Sequence, residues 1–467
     1  MEILQEKHNF TAVNRSVLIE QFVDATLSKA AFEQSRRETF DYKNKTAMLA
    51  HIASWMAASD EYVPLKEAVR VEMRCYLDRL GLNASVDDLL NEFLLARIFV
   101  SRPEDRISFR YLAVLEYFIA LQMTINLDFK TWVMDENRYL QFVNEIQYYA
   151  GKLRNDAALV AEIGDRFEKL MALVEQQDGP TDLNLLSRLT LPIDVTADAG
   201  DKLAEQLAAT PLTKDEKDAE IEAEIPRDAA ERQEVFRPKT EEPSSQIFLS
   251  LILYSGVVKN MELIEDAQKR SHLSKLWKAW STYLFHSLRL VPKLAKDRRV
   301  RLNGVLYEIL APHGMSDADL ARTIMLRMPS AHIKLLAGAV GTEKLEKQLT
   351  EPHLDEKDEP LVYTLLKAGL AAELRLNSAT GFLRDALTSL KDSRYLLESL
   401  IISVAELRRV DRLRDADMRT LEAPLASAIA NLRGGGHKAK ETEKRRQLAR
   451  LGKERLFLEM KRTKEDR

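Results

Sequence analysis

The residues of this chain whose types could do chemistry are eight histidines, one cysteine and a lysine close behind three glycines. A hydrolytic zinc site needs two imidazoles one helical turn apart with a carboxylate beside them, as in H-E-x-x-H. His8, His51, His272, His286, His313, His332, His353 and His437 stand singly, and none has that neighbourhood. His51 falls on an apolar helical face and is expected to pack rather than ligate, while His313 sits in the turn-like Ala311-Pro312-His313-Gly314. A phosphate cradle needs two glycines with four residues between them, then lysine and a hydroxyl, so that backbone N–H groups can wrap the anion. Gly434-Gly435-Gly436-His437-Lys438 has neither the gap nor the hydroxyl, and reads as a flexible joint. There is no G-x-S-x-G elbow, and Cys75, in a helical context, is expected to be semi-buried rather than nucleophilic. Asp317 and Asp319 stand where a helix N-terminus favours negative charge, which accounts for them without a site. No catalytic, cofactor-binding or metal-binding residue is assigned, and a regulatory or scaffolding role is expected.

Composition narrows the class. With 467 residues and 45% apolar side chains the chain can build several cores. Only 16 glycines and 14 prolines in that length favour long helices over strands and turns, so a mainly all-α fold is expected. Acidic and basic residues, 73 against 69, nearly cancel, which argues against a dedicated nucleic-acid binder. A single cysteine excludes an intrachain disulfide and a cysteine-based zinc site, and suits a reducing, cytoplasmic setting. MEILQEKHNF carries no secretory signal, and the longest apolar run, Ile247 to Val258, is too short to cross a bilayer.

Asn14 is a plausible cap for a first helix within residues 1–40, and Asp41 opens a second, Tyr42 to about Ala58. A short β-prone piece, Glu61 to Val63, precedes a helix that Gly81 stops; Ser85 caps the next, SVDDLLNEFLLA. Arg97 to Arg102 alternates at period two, Pro103-Glu104-Asp105 turns, and Arg106 to Arg110 returns. Helix, short strand, helix, helix, hairpin is the order of a winged helix, here residues 41–110. Its would-be recognition helix carries Asp87, Asp88 and Glu92 and no basic residue, so intramolecular packing is expected in place of DNA reading. Tyr111 to Met123 is apolar on nearly every side and opens a helical domain, 111–178. Arg110 and Glu116 stand six apart on what reads as one otherwise apolar helix; each needs a partner, and a structural role in fixing the wing is expected over a switching one.

Residues 179–245 read as an acidic, partly disordered linker, since Asp198 to Glu242 holds fourteen acidic against seven basic residues and few large apolar ones. It is expected as a solvated tether or an acidic docking segment. From 246 to 432 helices follow one another: Ile247–Val258, Met261–Ser271, Leu276–Leu290, Asp317–Leu326, Ala331–Ala337, Glu359–Ala372, Thr380–Leu387, Ser393–Val410 and Asp415–Leu432. They predict an irregular, α-solenoid-like stack with no constant repeat, and a small β-turn within Arg301 to Tyr307. The tail, 433–467, has thirteen basic against six acidic residues. It reads as a solvated charged helix from near Lys438 with Leu448, Leu451 and Leu458 on one side, or as a contact for an anionic partner through Arg445, Arg446 and Arg450.

SFRYLAVLEYFIALQM, Ser108 to Met123, resembles the F-R-[HY]-x-x-[FV]-x-E-[YF]-F-x-A-L stretch that follows the winged helix in bacterial STAND NTPases of the NACHT type. Asn14 to Val23 and Phe40 to Lys45 with Leu49 to Ala53 look like the helical domain that leads into it, so the likeness covers 10 to 125. The resemblance implies a winged helix that packs on a nucleotide domain and transmits its state, followed by a helical sensor. Met1 stands where that family's P-loop and Walker B have already passed, so the chain looks like the C-terminal half of such a protein. ATP and Mg²⁺ would then belong to an ATPase domain acting in cis or trans. The implied partners are that domain, a protein ligand and further copies on activation; antiphage defence follows from the family alone. A free-standing helical adaptor, whose basic tail binds nucleic acid, is the other expectation.

Overall fold

The computed structural model describes residues 15–34, 40–179, 181–190, 243–302, 305–309, 311, 314–342, 344–350, 359–409 and 413–465. Asn14, His8, His313, His353 and the acidic interval Asp198 to Glu242 lie outside them. The chain divides into two compact units, Met1–Leu170 with Pro226–Glu265, and Met171–Ile225 with Asp266–Arg467. Both are mainly helical among the described residues.

In the first unit α1 (Arg15–Gln34) precedes α2 (Tyr42–Ser59), which Asp41 caps by accepting from the Asn44 N–H at 2.8 Å. α3 (Lys66–Leu80) ends at Gly81, whose φ of 63° is the left-handed conformation that glycine adopts without strain. Ser85 caps α4 (Val86–Leu95) by accepting from Asp88 N. β1 (Phe99–Arg102) and β2 (Arg106–Phe109) pair antiparallel, Phe99 opposite Phe109 and Arg102 opposite Arg106. Glu104 and Asp105 both have positive φ, as a type I′ turn requires, and a bridge from Leu65 to Arg106 adds a one-residue third strand. The winged-helix order is therefore present. α5 (Leu112–Ile125) lies along α2, and α6 (Leu127–Val133), α7 (Val143–Leu153) and α8 (Ala157–Asp178) follow.

α9 (Asn184–Arg188) belongs to the second unit, where Leu186 is buried and the helix packs on the helices Leu361–Glu373 and Arg394–Arg409; part of the expected linker is thus packed structure. α10 (Pro243–Asn260) returns to the first unit and packs on α7, although its sequence was expected to open the C-terminal stack.

Two longer helices replace four expected short ones in the second unit. α11 (Asp266–Asp297) runs through residues 272–275, where Leu273, Leu276, Trp277 and Trp280 continue one buried stripe with no glycine or proline between them. It is followed by β3 (Arg299–Leu302) and β4 (Val305–Glu308), a hairpin where only a turn was expected. α12 (Asp317–Val340) is capped by Ser316 and runs through Pro329. Proline removes the N–H that would reach the carbonyl four residues back. That carbonyl belongs to Met325, and the buried Tyr395 hydroxyl donates to it at 2.9 Å, so the interruption is satisfied from a neighbouring helix. α13 (Leu345–Thr350), α14 (Leu361–Glu373), α15 (Ala379–Ser389), α16 (Arg394–Arg409), α17 (Asp415–Arg433) and α18 (His437–Glu465) complete the stack. α12 packs against α11, α14 and α16, and α15 leads through α17 to α18.

His332 on α12 is buried with Nδ1 3.0 Å from the Met328 carbonyl, which makes Nδ1 the protonated nitrogen, while Nε2 has no hydrogen-bond partner. Burial pushes its pKa down to about 4.

Two outcomes follow from this core. Tyr395→Phe is expected to cost about 1–3 kcal/mol in urea unfolding by orphaning the Met325 carbonyl. In the double variant with Pro329→Ala the helix supplies its own donor, and most of that loss should disappear. Because His332 binds a proton more readily unfolded than folded, stability should hold above pH 6.5 and fall between there and pH 4. The total is on the order of 3 kcal/mol, and the slope should flatten in His332→Leu.

Candidate functional site

The winged helix is built around an ion pair buried where α2 meets α4. Lys45 Nζ lies 2.6 Å from Glu92 Oε1, with the two side chains 3% and 6% exposed. Glu92 therefore does not face solvent, contrary to its expected place on a phosphate-repelling surface. The exposed charges of α4 are Asp87 and Asp88, and Asp87 accepts from Arg70 Nε at 2.9 Å. Without a basic residue, α4 is still unsuited to a DNA groove. The pair was missed by sequence reasoning, yet a signal exists. Lys45 is three and four residues before Met48 and Leu49, and Glu92 stands between Leu89 and Phe93, so each charge lies within an apolar stripe.

A continuous set of rings links α4 to α5. Phe93 meets Phe99 edge-on at 5.9 Å, Phe99 meets Phe109 at 4.7 Å, and Phe109 lies 5.8 Å from Phe118. Tyr117 continues it and receives a hydrogen bond from Lys152 Nζ at 3.3 Å; the same ammonium reaches Glu20 on α1 at 3.1 Å. Burial, with the Glu20 and Asp24 carboxylates nearby, raises the Tyr117 pKa, so its phenol stays neutral. His51 Nε2 is 2.7 Å from Glu72 Oε1 and its ring lies against Tyr76, a packed position as expected; burial lowers its pKa.

Arg110 and Glu116 are not on one helix. α5 begins at Leu112 with Tyr111 as its cap, because Arg110 is still held by its backbone bond to the Ile98 carbonyl, an extension of the hairpin ladder. The half-buried Arg110 guanidinium lies 5.0 Å from the Tyr111 ring centroid. Glu116 is buried on α5 and accepts from Asn144 Nδ2 on α7 at 2.7 Å. The two charges thus serve different contacts, one beside the wing and one between helices.

In the tail, α18 packs on α17 through buried Gln447 and Leu451, so it is not solvated all round. Arg433 pairs with Glu443 across the two helices. Arg445 and Arg446 are exposed, Arg446 with Glu443 3.8 Å away, and Arg450 is half-buried. These arginines belong to the second unit, and Arg110 and Glu116 to the first. Among the described residues no group of three or more His, Cys, Asp or Glu side chains could hold a metal ion, and no helix is long and apolar enough to cross a membrane.

Residues 63–119 match the family model of Novel STAND NTPase 4. The matched segment runs from the approach to α3 through the hairpin to the middle of α5, so the likeness to STAND NTPases falls on the winged helix and its exit. Neither curated proteins nor solved structures give a match.

Lys45→Met leaves Glu92 buried without its partner and should lower the free energy of unfolding by about 3–5 kcal/mol. Lys45→Met with Glu92→Leu removes both charges, and urea titration should find it within about 1–2 kcal/mol of the parent.

Proposed function

We propose that this chain is a non-catalytic regulatory and sensor module of a STAND-type NTPase. Its second unit would receive a protein ligand, and its winged helix would relay that event to an ATPase core supplied in cis or trans. The observation that carries the reading is the coincidence of the 63–119 match with α3, α4, the hairpin and the first half of α5. The ring contacts from Phe93 to Phe118 and the Lys152 junction give the wing a packed connection to α1 and α7. In this reading ATP and Mg²⁺ are held by the ATPase core. The module works in the cytoplasm, in antiphage defence, and self-associates when activated.

A second reading, a helical adaptor that binds nucleic acid through its tail, is favoured by one observation, the exposure of Arg445 and Arg446 on α18.

Sequencing the transcript upstream of the Met1 codon, together with the adjacent genes, is expected to reveal a P-loop ATPase frame. The purified chain should hydrolyse no ATP and should change the turnover of that ATPase several-fold. If no ATPase frame is found, and if the chain binds single-stranded DNA in a salt-sensitive manner that Arg445→Glu with Arg446→Glu abolishes, the adaptor reading replaces the first. Should Arg110 act structurally, Arg110→Ala will lower the melting temperature and the ATPase response together. Loss of the response at an unchanged melting temperature would instead make Arg110 a switch.

A further inference from the structure

A groove runs beside β1, between the strand and the turn that leaves α4, and three of its lining residues are arginines: Arg97, Arg102 and Arg110. No carboxylate lines it. The other arginine of the hairpin, Arg106, lies outside the groove and pairs with Glu61 at 3.0 Å.

Two details give the groove a built character. Arg102 is held by its Nε, which donates to Ser108 Oγ at 2.9 Å, and this leaves its shielded Nη2 without a hydrogen-bond partner. The guanidinium is held in place by one nitrogen, and the half-exposed group keeps further N–H donors for an acceptor from outside the chain. Arg97 has φ 54°, the left-handed conformation at a helix exit where glycine is the favoured residue. A strained position is thus occupied by a long cation that points no salt bridge at the protein among the described residues.

The lining also distinguishes between kinds of anion. Arg110 N donates to the Ile98 carbonyl, which fixes the phase of the ladder so that Val100 and Arg102 bond to β2 while the backbone groups of Ser101 point away from it. Exposed Ser101 therefore offers an N–H and a C=O at an open strand edge, and Leu94 and Val100 add apolar contacts. A phosphate uses neither the strand edge nor the apolar wall; an extended peptide uses both. A second copy of the same edge would bring arginines against arginines.

We propose that this groove is a docking site for an extended, acidic segment of a partner protein. Its carboxylates meet Arg97 and Arg102, its backbone meets Ser101, and its aliphatic side chains meet Leu94 and Val100. The proposal goes beyond the relay reading and does not depend on it.

The test uses the full chain and a fluorescein-labelled peptide of alternating glutamate and valine, with a lysine–valine peptide, inorganic phosphate and single-stranded DNA as the other probes, all read by anisotropy or competition. The acidic peptide should bind and the lysine peptide should not, with affinity falling as salt rises. Arg102→Gln and Ser101→Pro should each weaken binding about tenfold, which is one step of 1.4 kcal/mol. Ser101→Pro should leave the melting temperature in place, since that N–H has no role in the β1–β2 ladder. Arg97→Gly should raise the melting temperature and still weaken binding, a pair of opposite changes that a merely structural arginine does not give. Equal binding of the two peptides, or affinity unchanged in all three variants, overturns the proposal. Arginine-dependent binding of phosphate or DNA that is indifferent to Ser101→Pro also overturns it, and makes the groove an oxyanion or nucleic-acid site.

Discussion

The first unit depends on a charge that has to be neutralised out of water. Lys45 and Glu92 come from helices separated by α3, and each is surrounded by the apolar stripe of its own helix. An ammonium and a carboxylate so placed tolerate only one arrangement, that in which they meet. Their contact sets how α4 sits against α2. Since α4 feeds directly into β1, it also sets where the hairpin lies, and through Phe99 and Phe109 how α5 leaves the wing. Hydrophobic burial supplies most of the stability of such a domain, but it is poor at choosing between neighbouring helix registers. A buried ion pair chooses sharply.

Much of this architecture was legible in the residues. Caps at Asp41 and Ser85, the stop at Gly81 and the alternation of Arg97 to Arg110 are local rules, and the structure obeys each of them. What the sequence did not disclose depends on distant partners. Glu92 looks like a surface acid until Lys45 is placed against it, and Arg110 looks helical until the ladder bond to Ile98 holds it in the hairpin. The expected helices stop at Leu290 and Leu326, short of Pro292 and Pro329, whose local cost is plain, whereas the packing that carries α11 and α12 through them is not. Of the candidate site, the wing and the absence of a basic recognition helix were readable. The arginine groove was not, because Arg97, Arg102 and Arg110 converge only once the chain has turned.

The two units use charge differently. In the first, Lys45, Glu116 and Lys152 lie at helix junctions and tie elements from separate parts of the chain. In the second, polar contacts fasten helices of the stack to one another, such as Ser330 with Glu406 between α12 and α16, or Arg433 with Glu443 between α17 and α18. A winged helix tied at its corners suits a body that moves as one piece. A stack joined pair by pair suits a surface that adjusts helix by helix.

The hydroxyl that bridges α16 to α12 has a consequence for how this chain can vary over generations. Tyr395 supplies the donor that Pro329 withholds from Met325, so the two positions share one requirement although they lie on different helices. A lineage that loses the phenol first passes through an orphaned carbonyl, while one that loses the proline first keeps both donors, because a carbonyl oxygen can accept two hydrogen bonds. The phenol should therefore be lost only where Pro329 has already gone, and a collection of related sequences would carry Pro329 together with Tyr395.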